Sequence, residues 1–287
     1  NHRRQKTRVP NVGINPLGET YDVVLLTSKA YDARWLAEFI RPYLADDGLL
    51  VAVQNGMTAT SIGEVVGERR TLGCVVELAS QMFEPGEVTR NTVKRGTWFG
   101  VGAYDQAQIA HIGACAEILG HAGTVEVADD ILSAKWMKLT VNAMTMGLKA
   151  ILGTTNEEVF KIDGAREMFL RAGEEALAAG QLLGYTVVPI FGLRPADVAN
   201  TNSLLETLLE KIVHDVGPKA INTVQQDHMK GRYSEIDMIN GLVAETNRLH
   251  GREAAVNRAI VDITRRIHAG ELKPSPSNFI LVRKQLN

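Results

Sequence analysis

Lys138 and Asn142 form the clearest chemical pairing in the chain, in the run Ala-Lys-Trp-Met-Lys-Leu-Thr-Val-Asn at 134–142. Residues four apart share one face of an α-helix, so an ammonium and a carboxamide are offered side by side. An amide N–H can fix a carbonyl oxygen, and a neighbouring ammonium can stabilise negative charge on that oxygen and then deliver a proton. On a solvated helix the same spacing carries no chemistry, because a surface lysine keeps its head in water. Here Ile131, Leu132, Trp136, Leu139, Val141, Met144, Leu148 and Ile151 put apolar side chains on most sides of the helix. That pattern predicts burial, and burial moves a lysine's pKa towards neutrality, where acid–base work is done.

A helix carrying such a pair needs a scaffold, and the chain of 287 residues is long enough for two domains. It is 45% hydrophobic and 22% charged, the balance of a globular protein. A net charge of −2 without a long basic run argues against nucleic acid as the main partner. No apolar stretch approaches the roughly 18 to 20 residues of a membrane span, and the polar, basic start does not read as a signal peptide. Cys74 and Cys115 are the only cysteines; they have no metal-type spacing and suit a reducing, cytoplasmic compartment. The seven histidines form neither a His-x-His nor a His-x3-His pair, so no dedicated metal site is expected.

Residues 21–127 alternate strand and helix signals. Strands are expected at 21–28, 48–54, 71–79, 86–91 and 97–102, and helices at 31–45, 58–67 and 105–120. Near-continuous apolar strands separated by helices indicate an α/β sheet covered on both faces. From residue 128 the pattern turns helical. Thr155 to Glu158 reads as a capping box, a long amphipathic helix covers 164–184, and further helical pattern runs over 195–216 and 218–230. Ser234 is expected to cap a helix that ends near Gly251, the last helix runs to about Gly270, and the tail from Pro274 has weak signals.

These elements define a Rossmann-type α/β domain over 1–127 and an all-α domain over 128–287. A doubly wound nucleotide domain normally opens with a strand, Gly-x-Gly-x-x-Gly and a helix. No such motif is present, and the nearest glycines, Gly13 and Gly18, follow no suitable strand. A βαβ unit takes about 30 residues or more, so the expectation is that the first βαβ segment is missing from the sequence given.

Four motifs in order make the chain resemble the ketopantoate reductase family over about residues 20 to 270. Thr-Ser-Lys-Ala-Tyr (27–31) is similar to its strand-end lysine motif and Gln-Asn-Gly-Met (54–57) to its Asn-Gly turn. Lys-Trp-Met-Lys-Leu-Thr-Val-Asn (135–142) is similar to its catalytic helix, and Ser-Glu-Ile-Asp-Met-Ile-Asn-Gly (234–241) to its C-terminal signature. The resemblance implies a Rossmann-type domain followed by a helical substrate and dimerisation domain, with the active site in the cleft between them. It implies NADPH-dependent reduction of a 2-oxo acid to a 2-hydroxy acid, as in pantothenate biosynthesis, by a cytoplasmic homodimer. By resemblance Lys138 is the general acid and Asn142 bonds the substrate oxygen. Glu235 shapes the site and contacts the cofactor's ribose or nicotinamide region. Asn55 lies near the nicotinamide ribose and Lys29 near the phosphate end. Both follow strand C-termini, where ligands bind in open α/β sheets. Asn240 is expected to pack rather than act, and His228 to lie on a solvated face.

The chain departs from the family where substrate is read. Met146, one turn beyond Asn142, stands where the family carries a second asparagine. Thr223 stands for its substrate-binding serine and Ala220 for another asparagine. Thr223 keeps a hydroxyl, while Met146 and Ala220 remove polar partners, and such a loss discriminates strongly against a hydroxylated substrate. A more apolar 2-oxo acid than ketopantoate is therefore expected. Two other readings stay open: a dehydrogenase of 3-hydroxy acids or opines, which also uses a helix-borne lysine with a nearby asparagine, and a non-catalytic nucleotide-binding protein of the same fold. The Ser-Glu-Ile-Asp run argues against the first, and only the missing glycine loop favours the second.

Overall fold

A computed structural model describes residues 4–6, 18–104, 112–200 and 203–286. Gly13 and the start of the helix expected over 105–120 lie outside these residues. The chain divides into two compact units, Asn1–Lys135 with Ile190–Gly192, and Trp136–Pro189 with Leu193–Asn287.

The first unit contains strands β1 (Arg4–Lys6), β2 (Tyr21–Leu26), β3 (Leu44–Ala52), β4 (Thr71–Glu77), β5 (Ser80–Gln81), β6 (Glu87–Arg90), β7 (Trp98–Ala103) and β8 (Thr124–Val127). Helices α1 (Ala33–Ile40), α2 (Thr58–Val66) and α3 (Ile112–Gly120) lie between them. A five-stranded sheet runs in the order β2-β3-β4-β7-β8; β2, β3 and β4 are parallel, β7 is antiparallel to β4, and β8 is parallel to β7. A small antiparallel sheet, β1-β6-β5, stands apart.

Successive residues of a strand point to opposite faces, and β3 shows it. Leu50 and Ala52 pack with Ala33, Ala37, Ala59 and Ile62 of α1 and α2. Leu49 and Val51 pack with Ile112, Cys115 and Leu119 of α3. Both faces are covered, which is why the strand reads as one apolar run. Cys74 and Cys115 are free and buried, and burial pushes their thiols up to about 12 and about 11, so neither is a ready nucleophile.

The α1 helix stops at Ile40, short of the expected residue 45, and Arg41–Tyr43 forms a 3₁₀ turn. Pro42 accounts for the difference, since it offers no N–H and disfavours helix in the residue before it. The chain therefore enters β3 at Leu44, earlier than expected. Strand β8 is an unexpected element; its four residues Thr-Val-Glu-Val are half-buried or exposed and carry little apolar pattern. Segment Ile190–Gly192 joins this unit where Phe191 meets Trp98 edge-on, with centroids 6.0 Å apart.

Helix α4 (Ile131–Thr145) begins in the first unit and continues into the second. The second unit then comprises α5 (Gly147–Leu152), α6 (Asn156–Val159), α7 (Ala165–Leu182), α8 (Pro195–Val198), α9 (Leu204–Val216), α10 (Thr223–Met229), α11 (Asn240–Leu249), α12 (Ala255–His268) and α13 (Asn278–Leu286), and no strand among the described residues. The Thr155–Glu158 capping box forms as expected. The Trp136 indole N–H donates to the Ala176 carbonyl at 2.9 Å, tying α7 to α4. Glu175, also on α7, accepts the backbone N–H groups of Val256 and Asn257 at 3.0 and 2.9 Å and so caps the first turn of α12. None of the described helices is long and apolar enough to cross a membrane.

Helix α10 starts at Thr223, not residue 218, because Asn222 forms a capping box with Gln225. Ser234 caps no helix: Ile236–Met238 is a 3₁₀ turn, Ile239 breaks the path at φ −114° and ψ −88°, and α11 begins at Asn240. The tail is helical, with Phe279 and Val282 buried and the Asn278 carboxamide donating to Ile151 and Lys273 carbonyls, both at 2.9 Å.

Candidate active site

Two groups of candidate residues form, one in each unit. In the first, β2 and β3 run parallel and end side by side, where the Val53 N–H donates to the Leu26 carbonyl at 3.2 Å. Beyond them the Gln54 carboxamide reaches the Ser28 hydroxyl at 3.4 Å and accepts from the Thr58 hydroxyl at 3.2 Å. Lys29 and Asn55 are the half-buried residues next to this link. Gly56 follows with φ +75°, a conformation that lets the chain turn back into α2.

Beneath these strand ends lies Lys135, only 3% exposed. Its ammonium donates to the carbonyls of Ala52 at 3.2 Å, Gln54 at 2.9 Å and Cys74 at 3.2 Å. An ammonium has three N–H donors, and here each finds a backbone oxygen: at the last residue of β3, in the turn that follows it, and midway along β4. Burial lowers its pKa to about 8, with the nearby Cys74 sulfur opposing that shift. Sequence reasoning overlooked Lys135. Its signal lay in the same helical run, one turn before Lys138, but the expected burial was assigned to the wrong lysine: Lys138 is half-buried.

In the second unit the candidates gather along α4 and α5. Asn142 is 3% exposed and Met146 is 8% exposed. The Met146 N–H donates to the Asn142 carbonyl at 2.9 Å, and the Ala150 N–H donates to the Met146 carbonyl at 3.0 Å, so helical bonding runs through the junction of the two helices. The 234–241 signature docks on this junction. The Asn240 carboxamide donates to the Ala143 carbonyl at 3.0 Å and to Asn257 Oδ1 at 2.8 Å, the packing role expected of it. Gly147 makes the close approach possible: a Cβ there would lie 2.5 Å from Ile260 and 2.9 Å from Asn240. Glu235 is 4% exposed and precedes the 3₁₀ turn, so it does not occupy the first turn of α11.

The loop before α10 docks on the same helices. The Asn222 carboxamide donates to the Met146 carbonyl at 3.0 Å, and Thr223 follows it as the first residue of α10. The Thr223 hydroxyl is buried and has no hydrogen-bond partner among the described residues. Lys149 of α5 is a second buried lysine that the sequence did not bring forward. It is 5% exposed, donates to Asn156 Oδ1 and to the Ala220 carbonyl, and is lowered to about 8 by burial.

His228 does not lie on a solvated face. Its ring nitrogens are buried, its ring meets that of His268 edge-on at 5.4 Å, and burial, followed by the His268 charge, lowers its pKa. His268 accepts the Ser234 N–H at Nε2, 3.3 Å away, and so holds the residue preceding Glu235.

Comparison with known proteins bears on both groups. The family model described as ketopantoate reductase PanE/ApbA matches residues 1–104, and its C-terminal counterpart matches residues 130–268. The 2-dehydropantoate 2-reductase of Archaeoglobus fulgidus is 25% identical over 256 residues, covering 88% of this chain and 78% of that protein. The crystal structure of a PanE/ApbA family ketopantoate reductase from Ralstonia eutropha JMP134 superposes with a TM-score of 0.73 at 25% identity, over 88% of this chain and 78% of that one. D-mandelate dehydrogenase, solved as a ternary structure with NADH and anilino(oxo)acetate, superposes with a TM-score of 0.77 over 89% of this chain and 79% of that one. At 17% identity that last likeness is one of fold.

Proposed function

This chain belongs to the ketopantoate reductase family, and on that footing we propose that it reduces a 2-oxo acid to the 2-hydroxy acid with NADPH. As a member of that family it is an oxidoreductase acting on CH–OH groups. The observation that carries the proposal is the convergence on one helical path. Lys138 and Asn142 stand one turn apart on α4, while the Glu235 segment and the Thr223 wall are both hydrogen-bonded to the α4–α5 junction.

The strand ends of the first unit suit a dinucleotide. Ser28, Lys29 and Asn55 offer a hydroxyl, an ammonium and a carboxamide at the carboxyl ends of parallel strands, the place where open α/β sheets take ligands. Lys29 would hold the phosphate end and Asn55 the nicotinamide ribose. When bound, reduced nicotinamide supplies the hydride.

As the carbonyl carbon becomes tetrahedral, negative charge grows on its oxygen. Lys138 stabilises that charge and passes a proton from Nζ to the oxygen, while the Asn142 carboxamide donates a hydrogen bond that fixes it. Preorganised donors of this kind are effective because they need no rearrangement as the charge develops, and a positioned acid contributes about 10²–10⁴-fold. Glu235 orients the reacting groups and the cofactor ribose, and Met146 and Thr223 line the substrate. A cytoplasmic homodimer belongs to the same proposal; the free, buried cysteines support the compartment, and light scattering of the purified chain tests the dimer.

The experiment supplies the purified chain with NADPH and a panel of 2-oxo acids that includes ketopantoate, with NADH in parallel. NADPH should be oxidised with at least one of them and faster than NADH. NADPH binding without turnover on any acid would leave a non-catalytic nucleotide-binding protein, and a preference for NADH would overturn the cofactor assignment.

A further inference from the structure

Among the described residues, Lys149 is a buried cation without an anion. Its ammonium has three N–H donors, and its two hydrogen-bond acceptors, Asn156 Oδ1 and the Ala220 carbonyl, are both neutral. Among the described residues it forms no ion pair with a carboxylate. Removing an ammonium from water is costly unless an opposite charge meets it, and the depressed pKa of Lys149, about 8, has desolvation as its cause. At neutral pH the group is mostly charged.

Its position is specific. Helical bonding continues from Asn142 through Met146 to Ala150. At about 100° per residue, Lys149, eleven positions after Lys138 and seven after Asn142, lies within roughly 20° of both around the helix. It stands about 10 Å further along the axis than Asn142, and helical side chains lean back towards the N-terminus, here towards Asn142. The carbonyl it holds belongs to Ala220, where the family carries a polar side chain, and the same loop is tied to Met146 through Asn222. The loss of carboxamides at Met146 and Ala220 therefore does not leave this wall apolar, because an ammonium has been placed beside both positions.

We propose that Lys149 binds a second, distal carboxylate of the substrate, so that the preferred substrate is a 2-oxo dicarboxylate. This rests on the reading of the chain as a 2-oxo acid reductase. The carboxylate next to the reacting carbonyl is one bond from the carbonyl carbon and stays near Lys138 and Asn142. A group two helical turns further on meets the far end of the molecule. The distal carboxylate supplies the missing counter-charge and accepts the third N–H of Lys149, while the chemistry at the carbonyl is that already described. An apolar tail of equal length would leave the ammonium buried and unpaired.

The test compares 2-oxoglutarate with 2-oxopentanoate, which have the same chain length and differ in the terminal carboxylate. Wild type should favour 2-oxoglutarate in kcat/KM by about tenfold or more, the scale of one hydrogen bond to a charged group. Lys149→Met should bring that ratio close to one, mainly through KM for 2-oxoglutarate, and Lys149→Arg should restore part of it. Should Lys149→Met fail to fold by circular dichroism, inhibition of wild type answers the question instead: glutarate should inhibit about tenfold more strongly than pentanoate. Preference of wild type for 2-oxopentanoate, equal losses for both substrates in Lys149→Met, or equal inhibition by the two acids would each overturn the proposal. Turnover of 2-oxopentanoate in those cases would leave the underlying reductase reading intact; absence of turnover on every 2-oxo acid would remove that reading itself.

Discussion

The ammonium of Lys135 donates to the carbonyl of Gln54 at 2.9 Å, immediately before Asn55. Its other two bonds, to Ala52 and Cys74, tie the carboxyl end of β3 to the middle of β4. A residue on a turn is only as well placed as the strand end beneath it, and here a single side chain ties the end of β3 to the neighbouring strand. Lys135→Met should therefore raise KM for NADPH by about tenfold, equivalent to about 1.4 kcal/mol, with a smaller effect on KM for the 2-oxo acid. A purely structural lysine would lower stability and leave the two Michaelis constants in their original proportion.

The same residue predicts an unusual pH dependence. In the unfolded chain a lysine titrates near 10.5, whereas burial lowers folded Lys135 to about 8. Between those values the unfolded state holds the proton that the folded state has released, so this group's contribution to stability rises with pH and is complete above the unfolded pKa. Urea denaturation of wild type and Lys135→Met across that range should show the stability gap widening as pH increases. A constant gap would mean that the folded ammonium titrates like a solvated one.

Glu235 separates a chemical role from a helix-end role. Since α11 begins at Asn240, after a 3₁₀ turn and the break at Ile239, Glu235 is not placed to complement that helix's positive end. A charge acting only at a helix end contributes about 0.3–1 kcal/mol to stability. Glu235→Ala should instead reduce kcat/KM for NADPH or for the 2-oxo acid by about tenfold or more. Kinetics equal to wild type, with a small drop in Tm, would return Glu235 to a structural role.

Asn240 tests how the signature is held. It is fully buried and bridges Ala143 of α4 to Asn257 of α12. Asn240→Ala strands two buried acceptors, at about 1–3 kcal/mol for each group left without a donor. Thermal melts should show a clear fall in Tm, accompanied by a fall in kcat because the Glu235 segment loses its anchor on α4. A loss of stability with unchanged kcat would show that the anchor does not position the site.

Much of this arrangement was legible in the sequence because it rests on local rules. The strands of the first unit appear as apolar runs since both faces are covered, and the capping box at Thr155 and the break at Pro42 follow from residue chemistry alone. The helix expected over 31–45 overran because the apolar pattern continues past Pro42, a residue that cannot continue a helix. The less legible features depend on distant partners. Lys135 differs from Lys138 by three positions on one helix, and only the carbonyls of Ala52, Gln54 and Cys74, far away in sequence, distinguish the buried lysine from the half-buried one. Lys149 is hidden for the same reason, as its partners come from Asn156 and Ala220. His228 read as a surface residue because nothing near it in sequence announces the His268 ring against which it packs. The α13 helix owes its place to buried Phe279 and Val282 and to Asn278, whose carboxamide bonds back to Ile151.

If Lys138 delivers the proton to the substrate oxygen, kcat of Lys138→Ala reads that transfer. In a variant shown by circular dichroism to be folded, and shown by NADPH titration to bind cofactor normally, kcat with the best 2-oxo acid should fall by at least about 10²-fold. Turnover within a few-fold of wild type in that folded, cofactor-binding variant would show that Lys138 is not the proton donor.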